Sequence, residues 1–133
     1  MVNASVKSVV EACSRGSEED SLNFGQVLEK LAGVGVEGYY ADFRRSAKTY
    51  YLPDGKNIEV KANDPDVAIA SAFDAGHVEA AVRQSQAGTH TYRAFCEKVM
   101  AAGCAGYLVS LLGRRVVYFG RTAETHVEHF PNK

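Results

Sequence analysis

Apolar residues recur along this chain at two periods, and the order of the periods is the same in both halves. Residues 3–15 place Val6, Val9, Val10 and Cys13 at i, i+3, i+4 and i+7, one face of a helix. Phe24, Val27, Leu28 and Leu31 repeat that spacing behind a predicted Ser21 cap, and Gly33–Gly35 stops the helix. GYYADF and KTYYL then read as aromatic-rich strands joined by a short RRSA turn. Pro53-Asp54-Gly55 is a further turn signal, and NIEV follows as a third strand. In the second half, Asp64-Pro65 reads as the N-cap and first-turn proline of a helix running to Phe73. After Gly76 the helical pattern continues or restarts through Val78–Gln86. Thr91 then caps a helix bearing Tyr92, Phe95, Cys96 and Val99, which Gly103 ends. GYLVSL and RVVYF form a hairpin around Gly113-Arg114, and THVEHF is the closing strand.

Both halves therefore read α-α-β-β-β, and the residues repeat as well as the periods. Sliding the chain by 68 positions lays Val10–Tyr51 over Val78–Phe119 with 11 of 42 columns identical, among them Gly35/Gly103, Gly38/Gly106, Tyr39/Tyr107 and Tyr50/Tyr118. A one-residue slip after the second hairpin then sets Ile58 against Val127 and Glu59 against Glu128. Helices before strands, with short turns between strands, predict antiparallel meanders. The expected fold is α+β: an internal duplication giving about six strands, with helices mainly on one face. The expected domain is single, residues 1–133, built from two pseudo-repeats of about 1–63 and 64–133 that share one core.

KTYYLPDG, GYLVSLLGRRVVYFGR and the HVEHFP ending resemble the YbcV-like family, a bacterial domain of unknown function with some members labelled phage envelope protein. The resemblance runs over nearly the whole chain and implies a small bacterial α+β protein. It brings no catalytic residue or cofactor with it.

Charge narrows the function classes. Lys+Arg 15 against Asp+Glu 16 gives a net charge of −1, which excludes a polyanion binder driven by bulk charge. No apolar run approaches the length of a membrane span, and the polar breaks in MVNASVKSVVEACSRGSEED do not read as a secretory signal. Three cysteines fit a reducing, cytoplasmic setting better than a disulfide framework. Cys13, Cys96 and Cys104 match Ala81, Leu28 and Val36 in the other half, so all three are expected to be buried, unreactive thiols.

No C-x-x-C, H-E-x-x-H, G-x-S-x-G or phosphate-loop pattern occurs, so the sequence names no catalytic residue, metal or cofactor. Three functional classes follow from what remains. The leading one is a binding or interaction module, with a homodimer as one form. It would use the outer face of the second hairpin, where Leu108, Leu112, Val117 and Phe119 are apolar while the first hairpin carries Asp42 and Thr49. The second is a small-molecule enzyme or ligand-binding protein using His126 and Glu128, which share one face of the last strand. With the one-residue slip, that face is the outward one, edged by Arg115 and Arg121. The third is a weak nucleic-acid binder in which the basic hairpin tips, Arg44, Arg45 and Lys48 against Arg114, Arg115 and Arg121, flank a groove holding Tyr40, Tyr51 and Phe119. The charge balance disfavours this last class.

Overall fold

The structure, a computed structural model, describes residues 3–130. The first half folds as α1 (Ala4–Glu18), α2 (Phe24–Gly33), β1 (Gly38–Asp42), β2 (Ala47–Tyr51) and β3 (Asn57–Lys61). The second half repeats the order as α3 (Ala75–Gln86), α4 (Tyr92–Ala101), β4 (Cys104–Ser110), β5 (Arg115–Gly120) and β6 (Thr125–His129). All six strands join one sheet in the order β3-β2-β1-β4-β5-β6, every neighbouring pair antiparallel. This is the α+β architecture the periodicities predict. No helix among the described residues is long and apolar enough to cross a membrane.

Backbone geometry repeats with the sequence. The eight described residues with positive φ fall into four pairs, each 68 positions apart: Asp20 and Gly88, Gly35 and Gly103, Ser46 and Arg114, Gly55 and Ala123. Left-handed backbone is costly for any residue with a Cβ, so its presence at Ser46 and Arg114 marks turns of one shape in both hairpins. The strand pairings agree. Tyr39 stands opposite Tyr50 as Tyr107 stands opposite Tyr118, and Ile58 flanks Tyr50 as His126 flanks Tyr118.

The halves meet where β1 pairs with β4, and two glycines set that seam. A Cβ on Gly38 would lie 2.6 Å from the Val109 carbonyl oxygen, and one on Gly106 would lie 2.5 Å from that of Ala41. The two contacts are counterparts of each other across the seam. On the inward face the seam carries tyrosines. Tyr39 stacks on Tyr50 with centroids 5.0 Å apart and meets the edge of Tyr107 at 6.2 Å. Tyr107 contacts Tyr118 at 5.6 Å, and its hydroxyl shares a 2.7 Å hydrogen bond with that of Tyr92 on α4. Val10, Cys13, Val27 and Leu31 from the first two helices join Val78, Val82, Phe95 and Val99 from the last two in one core against this face. Both halves contribute to it, so neither half has a separate core.

Two local expectations give way. α2 is capped by Asn23, not Ser21: the Asn23 side chain accepts from Gln26 N at 2.9 Å and Gln26 Oε1 accepts from Asn23 N at 2.9 Å. Ser21 instead closes the end of α1, its amide donating to the Gly16 carbonyl. No helix forms over residues 64–73. That stretch must carry the chain along one end of the sheet from β3 to the end of β5, where Phe73 packs on Gly120. Four strand spacings make roughly 19 Å, whereas a ten-residue helix spans only about 15 Å. The extended segment pins itself to α4 and the loop after it through Ala70 N to Met100 O and Asp74 N to Ala102 O, and it packs the half-buried Val67 and Ile69 against the core.

Gly38→Ala and Gly106→Ala should each destabilise the fold by about 1–3 kcal/mol, because the new methyl meets backbone that cannot rotate away. Urea unfolding of both variants measures this; an unchanged midpoint for both would show that the close approach of β1 and β4 does not matter.

Candidate functional site

Strand alternation gives the sheet an inward face under the helices and an outward face without them. The outward row at mid-strand runs Glu59–Thr49–Tyr40–Leu108–Val117–Val127, each residue opposite the next. It changes character at the seam: polar on β3 and β2, apolar from Tyr40 to the β6 edge. Leu108 is 43 % exposed, Val127 40 % and Leu112, in the turn beyond, 76 %. Phe119 is half-buried because it stacks on Tyr40 at 5.7 Å and roofs Gly106. The structure thus brings Leu108, Val117 and Phe119 together on one uncovered face, with Leu112 in the turn beyond and Arg115 at the border. Arg121 is drawn away, donating to the Ile69 carbonyl at 3.3 Å.

His126 and Glu128 do not lie on that face. The predicted one-residue slip is absent: Tyr118 pairs with His126 and Val116 with Glu128, which puts both side chains inward, at the places Ile58 and Val60 hold in the first half. The match of Glu59 to Glu128 suggested the slip, but Phe119 pairs with Thr125 as Tyr51 pairs with Asn57, counterparts 68 positions apart, so the backbone ladder admits no extra residue. Beneath α3 they form a polar cluster. His126 Nε2 and Glu128 Oε2 are 2.6 Å apart, with the two side chains 19 % and 11 % exposed. Arg83 donates to Glu128 at 2.8 Å and pairs with Glu79 at 3.3 Å. Burial pushes the Glu128 carboxyl up, but the hydrogen bonds and charges of Arg83 and His126 outweigh it and hold it below the usual glutamate range.

Glu79, His126 and Glu128 bring three ligand-type atoms within 4.8 Å of one another, the set that would hold a metal here. Arg83 already bridges both carboxylates and supplies the compensating charge, so the cluster is complete as an ion-pair network clamping α3 to β6. Chemically it can orient the His126 ring.

The basic tips are likewise separated. Asp42 at the end of β1 stands opposite Gly106 at the start of β4, while Gly38 stands opposite Ser110. The two hairpin turns therefore lie at opposite ends of the sheet and cannot flank one groove. Arg45 is held by Glu59 at 2.9 Å. Lys48 is not at a tip at all. It is 3 % exposed, faces inward beside Tyr50, and sits 4.8 Å from the centre of the Tyr92 ring. Burial lowers its pKa, opposed by the nearby Cys96, Glu18 and Asp64. Strand alternation puts Lys48 on the same face as Tyr50, so this buried amine was readable from KTYYL.

The thiols behave as their counterparts in the other half predict. Cys13, Cys96 and Cys104 are buried and unpaired, and burial raises Cys96 to about 12 and Cys104 to about 11. A bulky maleimide at neutral pH should label none of them in the native protein, and rapid labelling of Cys96 or Cys104 would contradict the packing. The clamp has a pH signature. The depressed carboxyl of Glu128 stabilises the fold fully above its unfolded value, near 4.3, and that contribution is lost as pH falls through the folded value. Glu128→Gln should cost about 1–3 kcal/mol at pH 7, with the gap to wild type closing below about pH 4 in urea titrations.

Comparison with known proteins adds relatives without a described activity. Part of the chain is 38% identical over 64 residues to the uncharacterised proteins Mb2035 of Mycobacterium bovis and Rv2012 of Mycobacterium tuberculosis. That match covers 48% of this chain and 39% of each relative, so the chain corresponds to about two fifths of their length. Residues 14–128, nearly the whole sheet and helix layer, match a single family. On that match the chain belongs to the DUF1398 family, proteins of unknown function.

Proposed function

We propose that this chain is a non-catalytic interaction module that docks a second copy of itself through the outer face of its second hairpin. One observation carries the reading: the row Tyr40–Leu108–Val117–Val127, with Leu112 beyond it, is a contiguous apolar surface on a sheet face that no helix among the described residues covers. The row holds no charged residue, so it offers nothing to a charged partner and complements an identical row related by a twofold axis. Sheet-on-sheet packing of this kind seals apolar faces about 10 Å apart. Arg115 borders the contact, while His126 and Glu128 stay inside each subunit as the clamp on α3.

The same reading takes the chain as two pseudo-repeats, about 1–63 and 64–133, that arose by tandem duplication and fused at β1 and β4. The four pairs of left-handed residues 68 positions apart support it. Three buried free thiols favour a reducing, cytoplasmic setting. Within its family, the KTYYLPDG and HVEHFP stretches favour the YbcV-like group.

Sedimentation velocity tests the docking. The wild type should run as a dimer at high micromolar concentration, and Val117→Asp should run as a monomer with an unchanged circular dichroism spectrum. Val117 is the better probe than Phe119, whose ring also roofs Gly106. A wild type that stays monomeric throughout would overturn the reading.

A further inference from the structure

The helix layer differs between the halves in one respect that the sheet does not explain. In the second half α3 and α4 are bridged by polar side chains: Lys98 Nζ donates to Gln84 Oε1 at 2.9 Å and lies 3.0 Å from His90 Nδ1. His90 Nε2 is in turn 2.7 Å from Ser85 Oγ. The counterparts of Gln84 and His90 in the first half are Gly16 and Leu22. Gly16 has no side chain to reach across, and Leu22 folds down onto it: a Cβ there would lie 2.5 Å from Leu22 Cδ1. The bridge is missing and a groove of about 570 Å³ lies between α1 and α2.

Its walls combine hydrocarbon with free charge. Val9, Ala12, Leu22 and Val34 supply apolar surface, and Arg15 and Lys30 stand beside them. Arg83 and Lys98, their counterparts, are both engaged, Arg83 with Glu79 and Glu128 and Lys98 with Gln84 and His90. Among the described residues, no carboxylate comes within ion-pair distance of Arg15 or Lys30. Glu19 also lines the groove, leaving two cations against one carboxylate. That balance suits a single negative charge rather than two.

We propose that the groove between α1 and α2 binds a small amphipathic monocarboxylate, its apolar arm on Val9, Leu22 and Val34 and its head between Arg15 and Lys30. The volume falls in the range of small-molecule sites, and a few placed polar groups over apolar walls is how such sites orient a ligand. Charge-assisted hydrogen bonds to the two cations fix the head. This site is separate from the outer sheet face and does not depend on self-association.

Titration calorimetry with decanoate as the probe tests it. Decanoate should bind one site per chain, and the decyltrimethylammonium cation should not. Arg15→Gln combined with Lys30→Gln changes only exposed side chains and should weaken binding at least roughly tenfold, the loss of one charged hydrogen bond or more. Gly16→Gln with Leu22→His, which installs the polar bridge of the other half, should close the groove and abolish binding. Val117→Asp should leave the affinity unchanged, which separates this site from the apolar sheet face. Decanoate binding no tighter than about 1 mM, or equal affinity in wild type and the Arg15/Lys30 double variant, would overturn the proposal.

Discussion

The close approach of β1 and β4 is the constraint on which the rest of the molecule depends. Each half alone is a three-stranded meander with two helices, too small to build a sufficient core of its own. Joining the two first strands side by side makes a single sheet and lets four helices share one core. That junction requires a residue without a side chain at both Gly38 and Gly106, since the carbonyl oxygens of Val109 and Ala41 occupy the space a methyl would need. The tyrosines then fill the inward side of the seam. Tyr39 and Tyr107, counterparts from the two halves, touch each other there, so loss of the strand pairing would also open the centre of the core.

Because the halves are so alike in backbone, their differences stand out as departures from a shared plan. At three places one half keeps hydrocarbon or glycine where the other places polar groups: Ile58 and Val60 against His126 and Glu128, Val116 against Lys48, and Gly16 against Gln84. Burying such groups costs free energy unless partners compensate. Arg83 supplies the partner for Glu128, and the Tyr92 ring with the neighbouring acidic groups does so for Lys48. The outward face departs as well. There the second half is apolar and exposed where the first is polar, and no helix among the described residues covers it.

Much of this was legible in the sequence because it rests on local periodicity. Helical stripes, aromatic strands, the hairpin at Gly113-Arg114 and the burial of the cysteines all follow from short-range pattern or from the matching position in the other half. What failed depended on the path of the chain in space. Asp64-Pro65 is a good helix start, yet the segment has to run along the end of the sheet, and only extended backbone reaches. The slip that put His126 and Glu128 outward came from matching glutamates by identity, whereas the ladder fixes register by backbone hydrogen bonds. The pairing of basic tips failed because an antiparallel β1–β4 seam places the two hairpin turns at opposite ends. The groove between α1 and α2 left a faint trace, Gly16 and Leu22 against Gln84 and His90, which acquires meaning only once the helices are seen side by side.

The claim that ties fold to function is that the apolar half of the outer sheet face is a surface for a second copy. Methyl-resolved NMR of Leu108, Leu112, Val117 and Val127 over a dilution series tests it residue by residue. The account expects these methyl signals to shift together along one dissociation curve while those of buried Val10, Val78 and Val99 stay fixed. Signals of the outer face that do not change with concentration, or changes confined to the helix layer, would contradict it.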